Sequence, residues 1–175
     1  MKNPDLPDML AGISPQVFMR DYWQKKPLLI RQAMPDMQAL VSRQTLFALA
    51  GQEDVESRLV TGNGVHQPWQ MHTGPFKPRQ LPALKKPNWT LLVQGADLHS
   101  DALANLRRGF RFIADARLDD VMVSYASDGG GVGPHFDSYD VFLLQAHGQR
   151  RWRIGAQKNL KLRDDVPLKI LSHFK

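Results

Sequence analysis

The sequence predicts a mainly β protein with helices toward its N-terminal side, folded as a sandwich or jelly roll. Its segments of β type are short and separated by turns that contain Gly or Pro, whereas apolar residues at helical spacing occur only in the first two thirds. The 175 residues are 42% hydrophobic and 23% charged, which suits one globular domain with a core.

Helices are predicted where apolar residues recur at helical spacing, and they cover residues 15–24, 43–50 and 101–113. Ser14 and Ser42 precede the first two and are typical N-terminal caps. A glycine follows the second helix as a stop signal. These local signals predict where the helices begin more sharply than where they end.

Strands are predicted where β-branched and aromatic residues cluster or alternate with polar ones. They cover residues 28–31, 55–61, 89–94, 121–126, 141–145 and 151–154. Residues 67–87 are rich in Pro and aromatic side chains and indicate strand and loop. A Gly-Asn-Gly turn follows residue 61, and a turn at 147–149 joins the last two predicted strands.

Composition excludes several classes of protein. No apolar stretch approaches the roughly 18 residues of a membrane-spanning helix, and the first twelve residues lack the apolar region of a secretory signal. The absence of cysteine excludes disulfides and cysteine-ligated zinc, and it is typical of a reducing compartment. We therefore expect a cytoplasmic protein without a membrane partner.

The net charge of +6 has two interpretations. One is a solvated basic face on an ordinary soluble domain. The other is a polyanionic partner, such as a ribosomal or other nucleic-acid-rich assembly. The basic residues are scattered in small clusters without one continuous stripe, which does not favour direct nucleic-acid binding.

The stretch Gly129–Gly155 carries the clearest chemical signal. His135 and Asp137 are two apart and point to the same side of an extended chain, where an imidazole and a carboxylate can share a metal ion. The pair is two thirds of the 2-His-1-carboxylate triad of non-haem Fe(II) oxygenases. The glycine-rich turn at 128–134 is not a phosphate loop, because strand-like residues follow it instead of a helix. A surface histidine with a neighbouring aspartate is the alternative.

Arg150 is the candidate for a cosubstrate carboxylate, because a planar guanidinium pairs with a carboxylate through two hydrogen bonds. In a strand, alternation would place Arg150 and Trp152 on one face and Arg151 and Arg153 on the other. The alternative is that these arginines are only solvated, and this interpretation suits Arg151 and Arg153 better than Arg150. Tyr139 is a candidate to line a substrate pocket, or else it is a packing residue.

A third metal ligand is not evident among the remaining histidines. The upstream ones lie in loop-like regions, one lies in a predicted turn, and one lies near the end of the sequence in a segment without a strand pattern: His66, His72, His99, His147 and His173. None of them is assigned as a ligand.

Between Phe18 and Gly155 the sequence resembles the bacterial JmjC-type ribosomal oxygenases. The segments that carry the resemblance are DYWQKKPLLIRQ, ESRLV, NWTLLVQGAD, GGGVGPHFDSYDVF and RRWRIG. The resemblance implies a cupin-like double-stranded β-helix that uses Fe(II), 2-oxoglutarate and O2. It also implies a substrate, an arginine of ribosomal protein L-sixteen of the large subunit.

The resemblance implies roles for single residues too. His135 and Asp137 fall on the first two metal ligands of the family, and Arg150 falls on the arginine that binds the 2-oxoglutarate carboxylate. The third ligand of the family is a histidine on a later strand, after a Gly-Asp-x-x-Tyr-x-Pro-like segment. The present sequence has no such segment.

We therefore expect one incomplete cupin-like domain over residues 1–175, truncated at the C-terminus. It would contain an N-terminal helix-and-strand portion, 1–117, and the first half of the double-stranded β-helix, 118–175. The distal strands, and the C-terminal regions through which full-length relatives could form homodimers, would be absent. Two other functions stay open: a non-catalytic cupin-like binding module, and a basic ribosome- or RNA-binding protein.

Overall fold

The computed structural model describes residues 9–34 and 36–174. Its helices are α1 (Pro15–Asp21), α2 (Arg43–Leu49) and α3 (Asp101–Arg108), and its strands are β1 (Ser57–Thr61), β2 (Gln70–Thr73), β3 (Trp89–Val93) and β4 (Val123–Ala126). Short 3-10 turns connect several of these elements. The predicted domain limits at residues 1 and 175 lie outside the described residues.

The three predicted helices are confirmed, and their caps explain where the first two begin. Ser14 Oγ accepts the backbone N–H of Val17 at 3.2 Å, and Ser42 Oγ accepts that of Thr45 at 3.0 Å. Such caps contribute about 1 kcal/mol each. Helix α3 ends five residues before the predicted limit of 113, because Gly109 follows Arg108 and glycine is a poor helix former.

The four strands form one antiparallel sheet in the order β2-β1-β3-β4. In this register Leu91 of β3 lies opposite Leu59 of β1 and Tyr125 of β4. Side chains alternate across the sheet, so β3 presents Trp89, Leu91 and Val93 to one face and the residues between them to the other. An antiparallel sheet with a few helices agrees with the predicted fold class.

Each face of the sheet is covered by a separate hydrophobic cluster. The larger cluster lies between the sheet and the helices and includes Leu91, Leu46 of α2 and Leu106 of α3. The smaller cluster lies on the opposite face and is formed by Val60, Trp69 and Ile170. No helix in the described part of the chain has the length and apolar character needed to span a bilayer.

Three strand predictions are wrong: 28–31, 141–145 and 151–154 are extended or irregular, with no strand assigned. A strand is stable only when its backbone groups pair with a neighbour, and no described segment pairs with these three. Leu29 and Ile154 are accordingly 74% and 70% exposed.

Phe142 anchors one of these irregular segments. Its ring lies 4.5 Å from the ring of Phe110 and 5.8 Å from that of Phe18, measured between centroids. Trp23 and Phe112 complete this aromatic cluster. The residues after the His-x-Asp pair are therefore held in place by side-chain contacts, chiefly those of Phe142, instead of by a ladder of backbone hydrogen bonds.

Candidate metal and cosubstrate site

The glycine-rich loop begins where β4 ends, and backbone contacts with β3 fix its first half. The N–H of Ser127 donates to the carbonyl of Trp89 at 3.1 Å, and the N–H of Gly130 donates to that of Ser127 at 2.8 Å. A side chain at Gly130 would not fit, because its Cβ would lie 2.3 Å from the Trp89 carbonyl oxygen. Gly129 adopts a φ of +69°, which favours glycine.

The second half of the loop lies against residues near the end of the described chain. A Cβ at Gly133, where φ is +77°, would lie 2.7 Å from Cδ1 of Ile170. The N–H of Leu171 donates to the carbonyl of Pro134 at 2.7 Å. Contacts on both sides therefore determine the path of the chain into His135.

His135 and Asp137 lie together, with Nε2 of the imidazole 3.7 Å from Oδ2 of the carboxylate. The other ring nitrogen, Nδ1, lies 2.9 Å from the carbonyl oxygen of Gly133. Because a carbonyl only accepts, this contact requires a proton on Nδ1, and in the neutral imidazole the lone pair is then on Nε2. The two side chains are 36% and 42% exposed, so both are accessible to a ligand.

This arrangement fits one divalent metal ion. Nitrogen and carboxylate oxygen bind such ions at about 2.0–2.2 Å, so one ion could bridge two atoms 3.7 Å apart. An outward hydrogen bond from the second ring nitrogen to a carbonyl is the usual support of a metal-binding histidine. Within residues 9–34 and 36–174, no His, Cys, Asp or Glu joins the pair to make a group of three.

Arg150 lies in the irregular segment after residue 145. Its guanidinium carbon is 5.7 Å from the centre of the Trp152 ring, so these two side chains lie together although the segment is not a strand. Arg150 is exposed and forms no salt bridge with a described carboxylate, which leaves its guanidinium available to a ligand. No hydrogen bond joins Arg150 to His135 or Asp137 among the described residues.

Tyr139 is 64% exposed, and the residue after it borders a cleft. The carboxylate of Asp140 accepts a hydrogen bond from Nε2 of Gln24 at 3.2 Å. The open cleft beside this contact has a volume of about 370 Å³ and is lined by Phe18 of α1, residues 22–28 and residues 140–142. Tyr139 is not part of its lining.

Sequence reasoning missed the contacts that fix the second half of the loop, between Gly133 and Ile170 and between Pro134 and Leu171. Two signals pointed toward them: the glycine directly before Pro134, and an apolar patch at residues 166–171 in an otherwise polar and basic segment. Nothing in the sequence indicated that this patch lies against the glycine-rich loop, because more than thirty residues separate the two.

Residues 105–175 match the family model of the JmjC domain. A protein of Haemophilus influenzae named "Probable ribosomal oxygenase" is 43% identical over 143 residues, which cover 82% of this chain and 35% of that protein. The ribosomal protein uL16 3-hydroxylase of Escherichia coli is 40% identical over 146 residues, which cover 82% of this chain and 38% of that protein. The chain thus spans somewhat more than a third of the length of these relatives.

Solved structures give the same result. The X-ray structure of E. coli ycfD superposes with a TM-score of 0.86 at 36% identity, covering 94% of this chain and 44% of that one. The structure of YcfD, a ribosomal oxygenase from E. coli, has also been solved in complex with cobalt and 2-oxoglutarate. It matches with a TM-score of 0.67 at 35% identity and covers 74% of this chain and 35% of that one. The predicted resemblance and the fold class are confirmed.

Adjacent glycines in the loop provide a matched test of its packing. We expect Gly130→Ala to lower the free energy of unfolding by about 1–3 kcal/mol, because its Cβ would collide with the Trp89 carbonyl. Gly131→Ala should change it by less than about 0.5 kcal/mol, because no atom lies within 4 Å of a Cβ there. Urea titration followed by circular dichroism measures both. Equal losses in the two variants would contradict the described packing.

Proposed function

This chain resembles the JmjC-type ribosomal oxygenases, and we propose that it carries part of the active site of an Fe(II)- and 2-oxoglutarate-dependent protein hydroxylase. The proposal depends above all on His135 and Asp137, whose Nε2 and Oδ2 atoms lie 3.7 Å apart with both side chains accessible. The glycine-rich loop that leads into His135 is packed on both sides, which supports a defined position for this histidine.

Each predicted site residue has a role in this proposal. His135, through Nε2, and the carboxylate of Asp137 are two ligands of the iron. Arg150 holds the far carboxylate of 2-oxoglutarate, for which a guanidinium is well suited. Tyr139, which is 64% exposed, contacts the protein substrate. When bound, the iron, 2-oxoglutarate and O2 supply the oxidising chemistry, while the chain orients them.

The proposed substrate is an arginine of ribosomal protein uL16, the protein named as L-sixteen above. Support comes from the 40% identical E. coli relative, which is named for that activity. The net charge of +6 favours approach to a partner embedded in RNA by long-range attraction, without base recognition. A cytoplasmic location suits such a partner. We further propose a domain divided near residue 117 into a helix-and-strand portion and the first half of a double-stranded β-helix. For proteins of the relatives' full length we propose a homodimer.

A complete triad needs one more ligand than the described residues supply. We propose that a histidine on a later strand provides it in a protein of the relatives' full length. The two-ligand arrangement also favours one alternative for the polypeptide considered by itself, a binding module that holds metal and 2-oxoglutarate weakly and does not turn over.

Metal binding can be tested with Mn(II), whose unpaired electrons broaden NMR signals of nearby groups even when it binds weakly. We expect broadening centred on residues 133–137, and its loss in His135→Ala and in Asp137→Ala. His99→Ala, which removes a histidine from outside the loop, should leave it unchanged. Broadening that survives both loop substitutions, or that centres on another histidine, would show that the pair is not the metal site.

The role of Arg150 can be tested by titrating the Mn(II)-loaded chain with 2-oxoglutarate in a calorimeter. We expect Arg150→Ala to weaken binding at least tenfold, because the far carboxylate loses a charged, forked partner. Arg150→Lys should recover only part of the affinity, since an ammonium group cannot form the paired hydrogen bonds. Arg151→Ala is the matched control. If the two alanine variants weaken binding equally, general charge attraction explains the effect.

Turnover separates the hydroxylase from the binding module. Fusing the C-terminal remainder of E. coli ycfD to this chain should complete the triad, because the folds superpose over 94% of the chain. With Fe(II), 2-oxoglutarate, O2 and a uL16 fragment, we expect the fusion to convert 2-oxoglutarate to succinate and CO2 and to add one oxygen atom of O2 to an arginine. His135→Ala in the fusion should abolish both. A fusion that binds Mn(II) and 2-oxoglutarate yet forms no succinate is the result expected of a non-catalytic module.

A further inference from the structure

Residues 162–171 form a compact turn that returns the chain to the glycine-rich loop. The N–H of Arg163 donates to the carbonyl of Ile170 at 2.8 Å, and Leu162 and Leu171 pair as an isolated antiparallel bridge. Within the turn, Arg163 hydrogen-bonds Asp165 at 2.6 Å and holds the pKa of that carboxyl below its usual value. The turn therefore has internal structure of its own.

Ile170 is the buried end of this turn. It is 2% exposed and packs in the smaller hydrophobic cluster with Val60 of β1 and Trp69. The same side chain lies against the α-carbon of Gly133, and the neighbouring Leu171 donates its N–H to the carbonyl of Pro134. The turn thus connects the sheet to the two residues that directly precede His135.

The contacts of Ile170 and Leu171 affect the His135 imidazole through one backbone group, the carbonyl of Gly133. The carbonyl of Gly133 accepts the proton of His135 Nδ1 at 2.9 Å, so the direction of this carbonyl sets the orientation and the tautomer of the ring. With Nδ1 held in this way, Nε2 faces the carboxylate of Asp137 at 3.7 Å. A shift of Gly133 would therefore turn the His135 ring without any substitution at His135 or Asp137.

We propose that Ile170 is a positioning residue, which holds the Gly133 carbonyl so that the Nε2 lone pair of His135 faces the metal position beside Asp137. Leu171 assists by holding Pro134. The metal part of this inference rests on the proposed function, whereas the tautomer of the imidazole does not depend on any metal.

Two measurements on the same variants test the proposal. Ring ¹⁵N shifts at pH 8 report the tautomer of metal-free His135, whose signal is identified by its loss in His135→Ala. Mn(II) titration reports metal affinity. We expect Ile170→Ala to populate the Nε2–H tautomer and to weaken Mn(II) binding about tenfold, the lower end of what loss of an outer contact costs a metal site. Ile170→Val should cause a smaller change in the same direction.

Leu106→Ala is the matched control, because it removes a similar buried aliphatic side chain from the larger cluster, in α3. It should destabilise the protein without changing the tautomer. If Ile170→Ala does not fold, Ile170→Val carries the same comparison. Wild-type tautomer and affinity in the Ile170 variants, or equal changes in Leu106→Ala, would overturn the proposal. If wild-type protein shows the Nδ1–H tautomer and loses it in the Ile170 variants but binds no Mn(II), the positioning role stands and the proposed metal function fails.

Discussion

The structure depends first on the pairing of β3 with strands on both sides. Its backbone joins β1 and β4, and its side chains at Trp89, Leu91 and Val93 are fully buried. The carbonyl of Trp89 continues the pairing beyond β4 by accepting the N–H of Ser127. The position of the glycine-rich loop is therefore a consequence of this central strand, because the loop begins at the last hydrogen bond that β3 provides.

The two faces of the sheet are covered by hydrophobic clusters of different size. The face toward the helices is closed by a large cluster and supplies stability, whereas the opposite face has the smaller cluster around Val60, Trp69 and Ile170. The candidate site lies at the edge of the smaller cluster, so its geometry depends on few contacts. Apolar side chains such as Leu143 and Ile154 stay exposed in the irregular segment that follows.

Sequence patterns predicted an element correctly where it depends on neighbouring residues. They failed where the element depends on pairing with a distant segment. Ser14 and Ser42 cap helices through atoms three residues away, and these helices begin where predicted. Residues 141–145 have the apolar composition of a strand, but a strand also needs a neighbour to pair with. Without one among the described residues, Phe142 packs on α1 and the segment stays irregular.

The sequence by itself determined which groups could do chemistry. The spacing of His135 and Asp137 and the fork of Arg150 are properties of residue type and order, and the resemblance supplied their proposed roles. Only the tertiary structure decided how the imidazole is turned, since Ile170 and Leu171 reach Gly133 and Pro134 from more than thirty residues away. Contacts between distant segments form only when the chain folds around the sheet, and no local pattern encodes them.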